Sequence, residues 1–191
     1  MGRARVIDRQ AVLNAAERVV VRQGAAHLTL EAVAIEAGIS KASVIYDYKS
    51  KNALIKAVIE RAIARHTAQL NAHIEAQTPG PDRFMRGRLV AAAERSVTDA
   101  ERAVALNLIA ALAFNAELRA LVEAVYRQQM SDIAATSSNP RGAILAFLAL
   151  EGVSLMERFG FYSWPAAERD ALLRDIGAML ERSDDEAGAP I

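Results

Sequence analysis

Four polar side chains between residues 29 and 51 are of types that bind phosphate groups. Thr29, Ser40 and Tyr46 carry hydroxyl groups that can donate to a phosphate oxygen, and Lys51 adds an ammonium charge. Thr29 and Ser40 also stand where helices are expected to begin, and the amide groups of a helix N-terminus favour an anion. We therefore expect these four residues to contact a phosphate backbone.

Three consecutive residues, Lys41, Ala42 and Ser43, begin the second predicted helix of this stretch, where side chains can reach the edges of DNA bases. Lys41 can donate to a guanine, and the methyl group of Ala42 can contact that of a thymine. Asp47 has two interpretations. It accepts from a cytosine amino group or it pairs with Lys51, and we favour the ion pair.

The elements that must position these side chains are two short helices joined by a turn at Gly38. Thr29 can cap a helix over residues 30–37, and Ser40 can cap a second helix that starts at Lys41, while Ser50 caps a third. The hydrophobic-staple pairs are Leu28 with Val33 and Ile39 with Val44. A helix-turn-helix has this form. A helical hairpin in a core would share these signals, but it would not need the polar residues of the second helix.

Residues 9–59 resemble the DNA-binding domain of the tetracycline-repressor (TetR) family of bacterial transcriptional regulators. The resemblance lies in RQAVLNAAERVVVRQGAAHLTLEAVAIEAGIS and the following KASVIYDYKSKNALIKAV. It implies an all-α fold of about nine helices, in which an N-terminal three-helix helix-turn-helix domain binds DNA and a C-terminal helical bundle senses a ligand and dimerises. It also implies phosphate contacts at Thr29, Ser40, Tyr46 and Lys51. Positions 45, 47, 48 and 52 depart from the common pattern, so the resemblance does not specify the operator.

The remaining chain is predicted to form helices throughout. Asp8 can cap a first helix to about residue 22, and a long helix runs from Lys51 towards Gln77 before the break at residues 78–81. Further helices are predicted over 82–97, 100–113, 116–136, 140–159 and 165–181, with Pro165 in the first turn of the last. The predicted domains are a DNA-binding domain at 1–50 and an effector-binding and dimerisation domain at 51–182, followed by a disordered tail at 183–191.

Composition and charge agree with a regulator that meets DNA at one end. The net charge is zero, but residues 1–66 hold 11 basic and 6 acidic side chains, whereas residues 67–191 hold 12 and 17. Arg3, Arg5 and Arg9 are expected to form a mobile basic arm that follows the DNA, or a solvated terminus. The chain has no cysteine, no signal-peptide pattern and no membrane-length apolar run, so we expect a cytoplasmic protein away from membranes.

A homodimer is expected because one short recognition helix reads too few base pairs, whereas two copies can read a palindromic operator on double-stranded DNA. Residues 141–159 are apolar on almost every side. Together with the last helix they can form a four-helix bundle across a dimer. The alternative is that both helices are internal core of a monomer.

The resemblance also implies a small-molecule effector, and an apolar one with few polar groups is expected. The candidate pocket residues are the apolar Met85, Leu89, Leu108, Leu112, Met130 and Phe147 and the polar Asn107 and Glu151. The apolar members can equally be plain core. A carboxylate on an apolar face must find a partner, so Glu151 either meets a polar ligand or pairs across the dimer interface.

The sequence bears on two rival classes of function, an enzyme and a docking protein. The only histidines, His27, His66 and His73, lack a partner set at metal or catalytic spacing, so neither an enzyme nor a metal site is expected. No cofactor fingerprint is present. A DNA-binding partner protein that uses this fold to dock another protein, without sensing a small molecule, is the alternative to a ligand-released repressor.

Overall fold

The computed structural model describes residues 8–24, 27–94, 98, 102, 103, 105, 106, 109, 112, 113 and 115–181. The regular secondary structure of these residues is entirely helical, which confirms the predicted all-α fold. No helix within them is long and apolar enough to cross a lipid bilayer.

Eight helices have defined bounds within the described residues. They are α1 (Arg9–Gln23), α2 (Leu30–Ala37), α3 (Lys41–Asp47), α4 (Lys51–Glu75), α5 (Arg83–Glu94), α6 (Ala116–Thr136), α7 (Pro140–Phe159) and α8 (Ala166–Ala178). The predicted helix at 100–113 falls largely outside the described residues, although the described positions 102, 103, 105, 106, 109, 112 and 113 are helical. The predicted tail at 183–191 also lies outside them.

The predicted capping residues begin the first four helices. The side chain of Asp8 accepts from Gln10 N at 2.9 Å, and that of Thr29 accepts from Ala32 N at 3.0 Å. Ser40 accepts from Ser43 N, and Ser50 from Ala53 N, both at 3.1 Å. Each bond satisfies an amide that has no partner inside the helix.

Helix α2 ends at the glycine that was predicted to break it, whereas the start of the last helix differs from the prediction. Gly38 ends α2 in the left-handed conformation (φ 66°, ψ 33°), which an L side chain adopts with strain. The prediction that Pro165 lies in the first turn of the last helix is wrong. Pro165 precedes α8 as its N-cap residue, because its ψ of 143° is extended.

The chain divides into two units by contacts: a first unit of residues 1–64 and 98–121, and a second of residues 65–97 and 122–191. Both include part of α4. The domain boundary predicted after residue 50 remains a prediction. The first unit has a core of buried aliphatic residues on α1 to α4, which includes Val19, Val33, Val44 and Val58.

Ion pairs orient the helices of the first unit. Arg61 of α4 donates to Asn14 Oδ1 at 2.8 Å and pairs with Glu17 Oε1 at 2.8 Å, both on α1. Arg18 of α1 pairs with Glu36 of α2 at 2.6 Å. Partly exposed pairs contribute little stability, about 0–1 kcal/mol. They fix the directions of α1, α2 and α4 around the short α3.

The second unit packs its helices closely at two glycines. A Cβ at Gly87 of α5 would lie 2.6 Å from the Cα of Ile74 in α4, and one at Gly142 of α7 would overlap the carbonyl oxygen of Met179. The core around them includes Met85, Ile133 and Phe147, all nearly inaccessible to solvent. The close approach therefore requires the smallest residue at both positions.

Candidate functional site

Helix α3 is anchored by one side and exposed on the other. Val44 and Tyr48 point into the first unit's core with 0% and 6% exposure. Lys41 and Ala42 are exposed, and Tyr46 is 73% exposed. A helix of seven residues cannot hold this position by itself. The buried pair therefore supplies the attachment that keeps the opposite face open to solvent.

Three of the four predicted phosphate-binding residues lie at helix starts on the protein surface. Thr29, Ser40 and Lys51 are exposed, the first two as caps of α2 and α3 and the third as the first residue of α4. As caps, the hydroxyl oxygens accept from backbone amides, so their hydrogens remain able to donate to another acceptor. Ser43 is half-buried and its Oγ lies 2.8 Å from Ser40 Oγ.

Lys41 has a partner on α2 that the sequence reasoning did not identify. Its Nζ lies 2.8 Å from Glu31 Oε2, and both side chains are more than half exposed. An exposed pair of this kind is worth about 0–1 kcal/mol. Lys41 can therefore leave Glu31 for another acceptor at small cost.

Asp47 lies away from the exposed face. Its carboxylate is 13% exposed and pairs with Arg9 at 3.4 Å, and the Arg9 guanidinium also lies 5.9 Å from the ring of Tyr48. Arg9 was expected in a mobile basic arm, and this is wrong: it is the first residue of α1. Arg3 and Arg5 lie outside the described residues. A carboxylate held in this way is poorly placed to accept from a base.

Lys49 is a basic residue of this surface that was not predicted from the sequence. Its Nζ donates to the carbonyl of Tyr46 at 2.8 Å and lies 5.2 Å from the centre of the Tyr46 ring. The ammonium therefore orients the exposed tyrosine. Lys49 directly precedes Ser50, a predicted helix cap, and this position is the sequence signal that could have identified it. We define the helix-turn-helix surface as Thr29, Ser40, Lys41, Ala42, Ser43, Tyr46, Lys49 and Lys51.

The predicted ligand-site residues are only partly brought together. Met85, Leu89, Met130 and Phe147 belong to the core of the second unit. Leu112 does not join them, because it packs against the core of the first unit. Asn107 and Leu108 lie outside the described residues.

Glu151 is paired within its own chain. One of its carboxylate oxygens accepts from Nη2 of Arg88 on α5, and the other accepts from the hydroxyl of Tyr126 on α6 at 2.9 Å. Sequence reasoning selected Glu151 but neither partner. We call Arg88, Tyr126 and Glu151 the polar cluster of the second unit.

The guanidinium of Arg88 is the most deeply buried charge in this cluster, with 6% of the residue exposed. It lies 4.7 Å from the ring centre of Phe147 and 5.8 Å from that of Phe84. Burial lowers the pKa of Arg88, and the carboxylate of Glu151 acts in the opposite direction. Its Nε and Nη1 are buried, and no atom of the described residues accepts from them.

Tyr126 lies on the solvent-facing side of the cluster. Its ring meets Phe147 edge to face at 6.3 Å. Burial and the negative charge of Glu151 raise the pKa of Tyr126 to about 12. The hydroxyl is therefore a hydrogen-bond donor at neutral pH.

Other features of the second unit do not form a site with this cluster. An open groove of about 670 Å³ is lined by Asp82, Arg86 and Leu89 together with residues of α8, but by no member of the polar cluster. Among the described residues, no three acidic or histidine side chains converge as they would around a metal ion.

Comparisons with known proteins agree with this architecture. Residues 12–58 match the family model for bacterial regulatory proteins of the tetR family, and residues 82–181 match that for the tetracyclin repressor-like C-terminal domain. No curated protein gives a significant match. The chain belongs to the TetR family, and its fold is that of a helix-turn-helix DNA-binding transcriptional regulator.

Solved structures show the same fold at low sequence identity. A protein of Streptomyces coelicolor A3(2) described as a transcriptional regulator is 18% identical, with 91% of this chain and 98% of that chain covered and a TM-score of 0.72. A regulator of Saccharomonospora viridis in complex with choline is 18% identical, with 92% and 96% covered and a TM-score of 0.68. The multidrug binding protein EbrR with malachite green is 21% identical, with 90% and 96% covered and a TM-score of 0.69.

Proposed function

We propose that this chain is a dimeric repressor that binds a palindromic operator through α3 and releases it when a small molecule binds the second unit. The observation that carries the DNA-binding part is the exposed face of α3, held outward by the buried Val44 and Tyr48. Lys41 and Ala42 at its start would read base edges. Lys51 and the hydroxyls of Thr29, Ser40 and Tyr46 would bind the flanking phosphates.

The dimer is supported by an exposed apolar face on α7. Leu145, Leu148, Leu155 and Met156 are 44–52% exposed, whereas Ala146, Phe147 and Leu150 on the other side are buried. Positions 145, 148 and 155 are separated by three and seven residues, or about one and two helical turns, and position 156 follows directly, so all four lie on one side of the helix. A second copy that covers this face would remove four large apolar side chains from water and provide the second recognition helix.

Release by a small molecule is supported by the structural neighbours. Two proteins with this fold were solved with choline and with malachite green. The second unit of this chain contains a polar cluster inside an aromatic core, which is the kind of lining that small-molecule sites use. We infer that the second unit takes an effector.

The proposal is tested by selecting bound sequences from random DNA duplex with the full-length protein. A repressor of this kind should enrich a palindrome, bind it as a dimer, and lose affinity steeply as salt rises. Candidate effectors are then screened for release. Enrichment of a palindrome without release by any small molecule, but with capture of a partner protein, would favour the docking function instead. Failure to enrich any sequence would contradict both.

Lys41 and Lys51 should behave differently in this assay. Lys41→Ala should weaken binding to the selected operator by about 1–3 kcal/mol and leave random duplex little affected, because it removes a base contact. Lys51→Ala should weaken both alike. Lys56→Ala is the matched control. Lys56 lies on α4, and its Nζ is 2.8 Å from Glu117 Oε1 on α6. Equal losses for Lys41→Ala on both duplexes would exclude a base-reading role.

A further inference from the structure

The polar cluster of the second unit has more buried donors than acceptors. Arg88 uses Nη2, while its Nε and Nη1 are buried and have no acceptor among the described residues. Arg158 is close enough to affect the ionisation of both Arg88 and Tyr126, and its own Nε is likewise buried with no acceptor among those residues. Three guanidinium nitrogens in this part of the molecule thus lack an acceptor.

Glu151 cannot satisfy these donors. One of its oxygens accepts from Arg88 and the other from Tyr126. Glu157, the neighbouring carboxylate on α7, accepts from Arg169 through both oxygens, at 2.6 and 3.2 Å. A charged donor left buried without an acceptor is unfavourable. The cluster is formally neutral, since Arg88 and Glu151 carry opposite charges, but it has an unmet demand for a hydrogen-bond acceptor.

The surroundings of the guanidinium are aromatic and apolar. The rings of Phe84 and Phe147 face Arg88, and the ring of Tyr126 meets Phe147 edge to face. Met85 and Met130 belong to the same core. If a ligand bound at Arg88, any apolar part of it would leave water and contact aromatic rings and thioethers.

The cluster is reached from the surface through its outer members. Tyr126 is 42% exposed and the side chain of Glu151 is 23% exposed, while Arg88 lies beneath them. A change in the position of Glu151 or Tyr126 would therefore open the guanidinium to solvent. A guanidinium N–H makes a short, charge-assisted hydrogen bond to a carboxylate oxygen.

We propose that the effector of this protein carries a carboxylate attached to a flat apolar group, and that Arg88 binds this carboxylate through the donors that Glu151 leaves free. This inference rests on the proposed function and specifies the chemistry of its ligand. An apolar effector with few polar groups is expected from the sequence, and the cluster identifies the charge of one such group. Binding at Arg88 would also weaken its link to Glu151, and so alter the connection between α5 and α7.

The test uses full-length protein without DNA and three small probes of similar shape: benzoate, benzamide and benzylammonium. Binding is measured by titration calorimetry near neutral pH. Benzoate should bind saturably and at least about tenfold more tightly than benzamide, because only the anion makes charge-assisted bonds with the guanidinium. Benzylammonium should be the weakest of the three.

Variants locate the binding. Arg88→Met keeps much of the side-chain volume and should reduce benzoate affinity by about tenfold or more. Glu151→Gln removes the competing charge and should increase benzoate affinity severalfold. Arg127→Met is the matched control, because Arg127 is on α6 beside Tyr126 but is 73% exposed and paired with Glu123. Circular dichroism establishes that each variant is folded, and Glu151→Gln together with Arg158→Met provides the test if Arg88→Met does not fold.

Each outcome decides the proposal. Absence of benzoate binding at millimolar concentration, equal affinity for benzoate and benzamide, or unchanged benzoate affinity in Arg88→Met or Glu151→Gln would overturn it, and water molecules would then be the acceptors for Arg88. These results leave the operator selection unaffected. Benzoate binding by a protein that selects no operator would instead overturn the proposed function and retain the anion site.

Discussion

The helix-turn-helix surface and the polar cluster of the second unit are built from contacts of very different range. On the helix-turn-helix surface, the caps at Thr29 and Ser40 bind amides three residues further along the chain. In the polar cluster, Glu151 accepts hydrogen bonds from Tyr126 and Arg88, which are 25 and 63 positions away in the sequence. The first arrangement is specified by neighbouring residues, whereas the second exists only after the helices have packed.

This difference also concerns solvent. Lys41 and Tyr46 are exposed to solvent, so their interactions with protein groups are weak and easily exchanged for interactions with another molecule. Arg88 is buried, so the loss of its ion-pair partner Glu151 cannot be compensated by water without a rearrangement. Substitutions should therefore change binding at the surface and stability in the cluster.

The largest effect on stability is expected for Glu151→Leu, which leaves the Arg88 guanidinium buried without a counter-charge. Breaking a buried pair in this way costs about 3–5 kcal/mol, and the partial exposure of Glu151 favours the lower end. Urea unfolding measures the change. The double variant Arg88→Met/Glu151→Leu should recover most of it, and Arg127→Ala in an exposed pair should cost no more than about 0.5 kcal/mol. A loss for the double variant as large as for Glu151→Leu would contradict this explanation.

Gly142→Ala should have the next largest effect, because the added methyl group would overlap Met179 and the side chain of Asn139. Overpacking of this kind costs about 1–3 kcal/mol. Gly177→Ala is the matched control on α8, since its Cβ would lie 3.5 Å from Leu89 Cδ1, an ordinary contact. Alanine is a better helix former than glycine, so the control should be neutral or stabilised by up to about 1 kcal/mol. Similar unfolding midpoints for both variants would show that α7 and α8 can move apart.

The same difference in range explains what could be predicted from the sequence. Asp8, Thr29, Ser40 and Ser50 could be recognised as caps because each acts on an amide two or three residues away. The helix bounds could be predicted to within a few residues for the same reason. The family resemblance extended this to the exposed face of α3.

Long-range partners could not be predicted in this way. Glu151 could be selected as a charge on an apolar face, but Arg88 lies on another helix and nothing local distinguishes it from neighbouring arginines. The pairing of Asp47 with Arg9 depends on the packing of α1 beside α3, and the sequence reasoning considered only residues of the same stretch. Leu112 was grouped with Phe147 by its apolar character, although the two pack in different units.

Ser40→Ala should have a smaller effect and tests whether the caps contribute stability. Loss of a cap hydroxyl costs about 1 kcal/mol, because the amide of Ser43 loses its bond to the hydroxyl oxygen and retains the one to the backbone oxygen of Ser40. Ser40→Gly should cost only a few tenths of that amount, since glycine is a tolerated N-cap residue. Urea unfolding of both variants provides the measurement. Equal losses for alanine and glycine would show that the serine contributes through another contact.

The smallest effect is expected for the ionisation of Tyr126, which tests the cluster without disrupting its packing. Its pKa is raised from 10 to about 12 in the folded state, so the unfolded chain loses this proton first as pH rises. The resulting stability is fully present below pH 10 and declines between about pH 10 and 12. Because Tyr126 is 42% exposed, solvent reduces the effect. The tyrosinate absorbance of the unsubstituted protein minus that of Tyr126→Phe should show one phenol that ionises above the usual pH. The variant should also lose less stability than the unsubstituted protein between about pH 10 and 12. A difference spectrum with a midpoint near pH 10 would show that the hydroxyl does not share the carboxylate of Glu151 in solution.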